Sequence, residues 1–230
     1  MPDYQAIYQQ QAAQYDRMVA CEDYEGKLLP ALNAVVPLAD MDVIELGAGT
    51  GRLTTQIAPL ARSLLATDVS EHMLALLRDK LAPFDHAAAV AADNRALPLA
   101  DALADVSIAG WSIGHSVEWY ADTWRDEVER ALAELMRVLR PGGFAVVLET
   151  LGTGVETPAP PNEGLAAYYA MLEDDYGFKR EALRTDYKFD SPAEGQALLR
   201  FFFGDAFADR IVAEELTILP ECTGIWWRTV

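Results

Sequence analysis

The sequence predicts an α/β protein in which an open, mostly parallel sheet carries helices on both faces. Three observations carry that prediction. Short apolar runs alternate with stretches of helical periodicity between residues 42 and 149. A glycine-alternating loop, Gly47-Ala48-Gly49-Thr50-Gly51, follows the first of these runs. An acid, Asp68, closes the second run about twenty residues further on, the spacing of a nucleotide-binding β-α-β unit. At 230 residues the chain holds one such domain, 1–230, with a substantial core and no internal repeat or linker to mark a second.

Residues 3–20 are polar with aromatic punctuation. Tyr4 and Tyr8, like Ile7, Gln11 and Tyr15, fall on one helical face. A second helix is predicted over 22–35, with Leu28, Leu29 and Leu32 inward, ending before Pro37. The first strand, Val43-Ile44-Glu45-Leu46, breaks into the glycine loop, beyond which Leu53, Ile57, Leu60 and Ala61 recur at helical spacing. The glycines matter because a Cβ would hold a ligand off the backbone, and because a turn here takes positive φ values. A dinucleotide site wants Gly-x-Gly-x-x-Gly, whereas Arg52 holds the sixth position, so a nicotinamide-dependent oxidoreductase fails on spacing.

The second strand, 63–68, ends on Asp68, placed to accept hydrogen bonds from ribose hydroxyls. Ser70 starts the next helix, with Glu71 in its first turn and Met73, Leu74, Leu77 and Leu81 inward. A third strand, short and buried, is predicted over 87–92, closing on Asp93-Asn94, and a fourth over 105–109. A helix capped by Asp122 or Thr123 runs through Leu139, with Trp124, Val128, Ala131, Leu132 and Leu135 on one face. Arg140-Pro141-Gly142-Gly143 then turns the chain into a fifth strand over 144–149. Beyond it, 152–161 reads as a loop, 163–176 as an acidic helix and 183–189 as a strand. A helical stretch from Pro192 breaks at Gly204, and 224–230 closes the chain as the last strand.

Composition bounds the partners. Eighteen Lys and Arg against thirty-six Asp and Glu give a net charge of −18, which leaves no basic stripe to track a phosphate backbone. Nucleic acid and anionic membranes are therefore not expected as partners. No apolar stretch reaches the ~18 to 20 residues of a membrane span. The first residues, Met1-Pro2-Asp3-Tyr4-Gln5, lack the basic and apolar regions of a signal peptide, so a cytoplasmic location is expected. Cys21 and Cys222, and His72, His86 and His115, show no metal-ligand spacing, and no metal is expected.

Four motifs occur in order within residues 43–149: Glu45-x-Gly47-x-Gly49-x-Gly51, the strand-end Asp68, Asp93-x-x-x-Leu97-Pro98, and Leu139-x-Pro141-Gly142-Gly143. Together they resemble class I S-adenosylmethionine-dependent methyltransferases. The resemblance implies a Rossmann-like seven-stranded sheet, mostly parallel, whose last strand lies antiparallel beside the fifth. It also implies an N-terminal helical lid over 1–36 and an inserted loop and helix over 151–180 on the substrate side. The implied cofactor is S-adenosylmethionine, leaving S-adenosylhomocysteine, held by Tyr15, Glu45, Gly47, Gly49, Gly51, Asp68, Val69, Met73, Asp93, Asn94 and Trp111. In that family an acid like Asp93 accepts from the adenine amino group, while the adjacent backbone N–H meets a ring nitrogen. Amino-group methyltransferases of nucleic acid carry an Asn- or Asp-Pro-Pro-aromatic motif after the fourth strand. Gly110-Trp111-Ser112-Ile113-Gly114-His115-Ser116 lacks it, so the resemblance is to the small-molecule type.

The implied reaction is an in-line displacement at the sulfonium methyl. Positioning lowers such a barrier by up to ~7 to 11 kcal/mol. Where the nucleophile is a hydroxyl, a base adds ~10² to 10⁴-fold. His115, just past the fourth strand, is the candidate base, because imidazole titrates near neutrality. Trp111, Trp119, Tyr120, Tyr168 and Tyr169, with Tyr4 and Tyr8 above, are expected to wall a site for a hydrophobic or aromatic acceptor. The competing reading is a catalytically silent S-adenosylmethionine-binding sensor or regulatory protein, in which the same cofactor residues would stand.

Overall fold

The computed structural model describes residues 4–230. Two short helices, α1 (Tyr4–Gln10) and α2 (Ala12–Val19), precede α3 (Leu28–Val35). Strands and helices then alternate: β1 (Asp42–Leu46), α4 (Thr54–Ile57), β2 (Ser63–Asp68), α5 (Glu71–Leu81), β3 (Ala87–Ala91) and β4 (Ala104–Gly110). A 3-10 turn (Ile113–His115) leads into α6 (Ser116–Trp119), α7 (Trp124–Arg137) and β5 (Leu139–Thr153). Next come α8 (Glu163–Ala170), a π turn (Met171–Asp175), β6 (Lys179–Arg184) and β7 (Tyr187–Lys188). The chain ends with α9 (Pro192–Phe203), α10 (Asp205–Ala213), β8 (Ile218–Leu219) and β9 (Glu221–Thr229).

Seven strands form one sheet in the order β3-β2-β1-β4-β5-β9-β6. β2, β1, β4 and β5 pair in parallel, as do β2 and β3, while β9 runs antiparallel between β5 and β6. The period of two along β5 divides the core. Ala145 and Val147 face α7, which buries Val128, Ala131, Leu132 and Leu135, whereas Val146 and Leu148 face Leu32, Ile57, Leu74 and Leu77 of α3, α4 and α5. Each such Leu or Val contributes about 1.5 to 3 kcal/mol through its burial. A third cluster joins Met18 and Val19 of α2 to Leu198, Leu199 and Ile211 of α9 and α10, so the N-terminal helices rest on the C-terminal ones. Among the described residues no helix is long and apolar enough to cross a membrane.

The sheet topology agrees with the reading from sequence, and several element bounds do not. Residues 3–20 break at Gln11 into two helices, with Asp3 outside the described residues. The helix predicted over 22–35 begins only at Leu28. Asp23 (φ +53) and Gly26 (φ +65) take left-handed conformations, and the Asp23 carboxylate accepts the Lys27 and Leu28 N–H groups as their cap. The helix after the glycine loop is a single turn, because Pro59 has no N–H to continue its ladder. β3 is an edge strand and half exposed, not buried. Neither Asp122 nor Thr123 caps α7 through its side chain. The strand expected over 183–189 is two pieces, β6 and β7, parted at Thr185-Asp186: the Thr185 N–H still bonds the Glu221 carbonyl in register with β9, and β7 then pairs with β8.

Two predicted site features prove to be packing. Tyr168 and Tyr169 are fully buried, Tyr169 with its ring 4.6 Å from that of Trp226, so neither walls a ligand site. Gly51 (φ +91) faces α5, where a Cβ would come within 2.5 Å of Leu77 Cδ1. Gly51→Ala should therefore destabilise by more than ~1 kcal/mol in urea denaturation, from strain and crowding together. Gly177→Ala, at φ +67 with nothing within 4 Å, carries the strain alone and should cost less. Equal losses at the two positions would remove the packing role.

Candidate active site

The strand order reverses between β1 and β4, and there, at the strands' carboxyl ends, opens a cavity of about 340 Å³. Gly47 (φ +68) ends β1 with no room for a side chain. A Cβ there would come 2.3 Å from Ser112 Cβ and 2.7 Å from its Oγ. The bare position lets the loop after β4 close on β1, and Ser112 Oγ donates to the Leu46 carbonyl at 3.1 Å. Gly49 (φ +56) has only the Tyr15 ring nearby, at 3.9 Å from where its Cβ would be, so a ligand there would meet bare backbone.

The Asp68 carboxylate accepts the N–H of Gly49 and that of Ser70, each at 2.8 Å. It thereby ties the glycine loop to the start of α5, and both oxygens keep lone pairs for ligand hydroxyls. Burial raises its pKa against the pull of those N–H groups. Ser70 accepts the Met73 N–H as helix cap and donates its hydroxyl to the Tyr8 carbonyl at 2.8 Å. That second bond latches α1 across the corner of the cavity. Val69, 74% exposed, and buried Met73 border the same corner.

At the end of β3, Asp93 lies on the cavity wall, engaged rather than free. Arg95 donates Nε to Oδ1 at 2.8 Å and Nη2 to Oδ2 at 2.5 Å, and its backbone N–H reaches Oδ1 at 2.9 Å. The guanidinium holds the Asp93 carboxyl below its usual range. An incoming amino group must share this carboxylate with Arg95. Asn94 reaches Ser112 Oγ at 3.5 Å.

On the far side, Trp111 takes φ +49, and its indole carries the Arg52 guanidinium 3.4 Å from the ring centroid. His115 stacks on Trp119 at 4.8 Å and 8°, and its Nε2 hydrogen-bonds the Tyr8 hydroxyl at 2.8 Å. Burial pushes the imidazole down to about 4, so it is neutral at neutral pH. Buried Glu149 accepts the Gly114 N–H at 2.8 Å and so holds the turn that carries His115. Phe202 of α9 packs against the N-terminal tyrosines outside the cavity lining, 4.9 Å from Tyr4 and 5.8 Å from Tyr15.

The residues predicted for the cofactor and the base all line this one cavity except Gly51; of the predicted aromatic wall, Tyr8, Trp111, Trp119 and Tyr120 line it, and Tyr4, Tyr168 and Tyr169 do not. No residue of 151–180 lines it; α8 packs behind α6, where Gly164 leaves space for Val117. Sequence reasoning missed Ser112 and Arg95, and saw Arg52 only as a break in the dinucleotide spacing. The glycine alternation gave a local signal, whereas Ser112 and Arg52 act on residues far apart in sequence, and the Arg95 contact to Asp93, two residues back, carries no pattern of its own.

A glycine loop open to the switch point of a sheet in this order is an arrangement shared by class I S-adenosylmethionine-dependent methyltransferase domains, and comparison supports that class. Residues 44–147, a little under half of the chain, match the methyltransferase domain family. The chain is 32% identical over 140 residues to a malonyl-[acyl-carrier protein] O-methyltransferase of Pectobacterium atrosepticum, covering 61% of this chain and 49% of that one. It is 31% identical over 150 residues to a demethylmenaquinone methyltransferase of Clavibacter sepedonicus, covering 61% and 58%. The chain thus spans about half the length of the curated relatives it matches. A S-adenosylmethionine-dependent methyltransferase of Aquifex aeolicus shares the fold with a TM-score of 0.56 at 14% identity, covering 88% of this chain and 89% of that one.

The residues present fit the cofactor. Glu45 is buried at the end of β1 with Oε2 unpartnered, and the Gly49 backbone offers a cradle that a Cβ would fill. Burial, with the like charge of Asp68 beside it, pushes the Glu45 carboxyl up to about 8. Held near an ammonium group it would ionise, so binding should release a proton. S-adenosylhomocysteine affinity should then rise with pH by up to about tenfold per unit below pH 8 and level off above. Isothermal titration in two buffers of different ionisation enthalpy reads this directly. Glu45→Gln should flatten the slope, and a slope unchanged in that variant would remove Glu45 from the ammonium site.

Proposed function

We propose that this protein transfers a methyl group from S-adenosylmethionine to a small, uncharged, aromatic or apolar acceptor. The observation that carries the reading is the single cavity in which the cofactor residues run directly into an aromatic wall of Tyr8, Trp111, His115, Trp119 and Tyr120. Charge narrows the acceptor further. The guanidiniums in the cavity wall are already paired, Arg52 with Glu22 and Arg95 with Asp93 and Glu127. Arg95 has its fork filled, and Arg52 stands with Tyr15 and Gly49 at the cofactor's end, so an acceptor carboxylate meets no cation in the aromatic wall. Of the acceptors named for the two relatives, a quinone ring suits this wall better than a malonyl carboxylate. The net charge of −18 supports an acceptor other than nucleic acid.

When bound, the cofactor supplies an activated methyl on a sulfonium sulfur. The protein's part is to seat the acceptor oxygen, nitrogen or carbon in line with that S–CH₃ bond. Trp111 and the Ser112 loop, fixed against β1, form the floor of that seat, and the His115–Trp119 stack its side. The sulfonium would serve as leaving group, keeping the electron pair of the S–CH₃ bond. For a hydroxyl acceptor, the proton becomes strongly acidic as the methyl is transferred. Neutral His115 is able to take it at Nε2, within reach of the Tyr8 hydroxyl.

S-adenosylhomocysteine release in a panel of phenols, hydroquinones and aromatic amines tests this, with aliphatic carboxylates alongside. Turnover confined to the uncharged aromatic members is expected. Preferential carboxylate methylation would overturn the acceptor class, and no cofactor binding at all would overturn the reading. With a hydroxyl acceptor, kcat should hold steady from neutral pH down to about pH 5 and fall as His115 protonates near 4. His115→Gln should lower kcat about 10²-fold with S-adenosylhomocysteine affinity unchanged.

A further inference from the structure

Arg52 stands where the dinucleotide template wants glycine, and its guanidinium is set into the cavity wall with a side chain only 14% exposed. It lies flat on Trp111 and donates through Nη2 to Glu22, a buried acid just beyond the end of α2. Among the described residues that is its one hydrogen bond, so most of its five N–H donors are uncommitted. Arg95, the other guanidinium of the wall, differs: Nε and Nη2 go to Asp93 and Nη1 to Glu127. A buried cation with unused donors is costly to hold unless an acceptor completes it.

Position limits what that acceptor is. Arg95 stands at the Asp93 end of the cavity, whereas Arg52 shares its end with Tyr15, Gly49 and Trp111. Resting on the methyltransferase reading, the cofactor's nucleoside lies toward Asp68 and Asp93, and its amino-acid tail toward Glu45 and Arg52. We infer that Arg52 is the counter-ion of the cofactor's α-carboxylate, sharing its fork between that carboxylate and Glu22. The planar fork suits two carboxylates at once, as an ammonium would not. The arrangement has a consequence for the lid. Because Glu22 follows α2, the cation that reads the cofactor tail is also the one that anchors the N-terminal helices.

Decarboxylated S-adenosylmethionine keeps the sulfonium, methyl and amine and lacks only the carboxylate, so it isolates the contact. Calorimetric titration of the folded full-length chain should show S-adenosylmethionine binding at least about tenfold tighter than the decarboxylated compound, as a charge-assisted bond requires. Arg52→Met keeps the apolar stem, and should weaken S-adenosylmethionine by about 10- to 100-fold while leaving the decarboxylated compound within about threefold. The double variant Arg52→Met with Glu22→Gln removes the buried pair together, avoiding an orphaned carboxylate, and should show the same collapse of preference. Glu22→Gln alone should keep it. A preference that survives in both Arg52 variants overturns the assignment, as does an equal loss of both compounds, which would make Arg52 a support for Trp111 only. A native chain that binds neither compound would instead remove the methyltransferase reading on which the assignment rests.

Discussion

The site depends on a missing atom. At Gly47 a single Cβ would overlap Ser112, and without it the loops after β1 and β4 sit in contact at the point where the sheet's winding reverses. Much of the cavity's chemistry hangs from one of those two loops, with Asp68 and Asp93 added from the ends of β2 and β3. The first presents the bare backbone of Gly49 and the cation of Arg52. The second presents Trp111 and, through the turn held by Glu149, His115. A strained residue sits at the junction: Trp111 adopts φ +49, a conformation costly for an aromatic side chain, and the Arg52 guanidinium packed on its face offsets that cost.

The N-terminal helices close over this junction by polar contacts rather than by a large apolar face. The Tyr8 carbonyl takes the Ser70 hydroxyl, the Tyr8 hydroxyl meets His115, and Glu22 meets Arg52. Each contact is made to a residue that also borders the cofactor or acceptor space. Below them Met18 and Val19 rest on the α9–α10 pair. Local opening of such an element costs less than opening the sheet, since it breaks few buried apolar contacts.

Features that repeat with the chain's own geometry were legible in the sequence. The strand-loop-helix at 43–57, the acid ending β2, the Ser70 cap and the apolar faces of α5 and α7 all follow from local spacing, and the structure shows them. What escaped depends on contacts between distant residues. Tyr168 and Tyr169 look like substrate aromatics on a helix face, but only the fold shows that the face meets Trp226. Gly51 belongs to the same motif as Gly47 and Gly49, yet its vacant direction points at Leu77 across a helix interface. Asp93 reads as a free acid until Arg95, two residues on, curls back to take both oxygens. The early end of α4 was visible at Pro59, and the periodicity of Leu60 and Ala61 masked it.

The electrostatics of the cavity run opposite to those of the surface. Over the whole chain acids outnumber bases two to one, thirty-six to eighteen, and most of them are at the surface. Inside, Glu45 is pushed up to about 8 by burial, which favours its neutral form at neutral pH, while Arg52 and Arg95 stay charged. A sulfonium cofactor with a zwitterionic tail suits that interior, because the tail's ammonium has Glu45 to ionise and its carboxylate has the spare donors of Arg52. The acceptor side has no such pair to offer. Its wall is indole, phenol and neutral imidazole, so binding there rests on apolar area and ring stacking, and a charged acceptor would lose its hydration without gaining a partner. On the proposed function, the division of the cavity into an ionic half and an aromatic half would separate the two substrates by chemistry before geometry brings them into line.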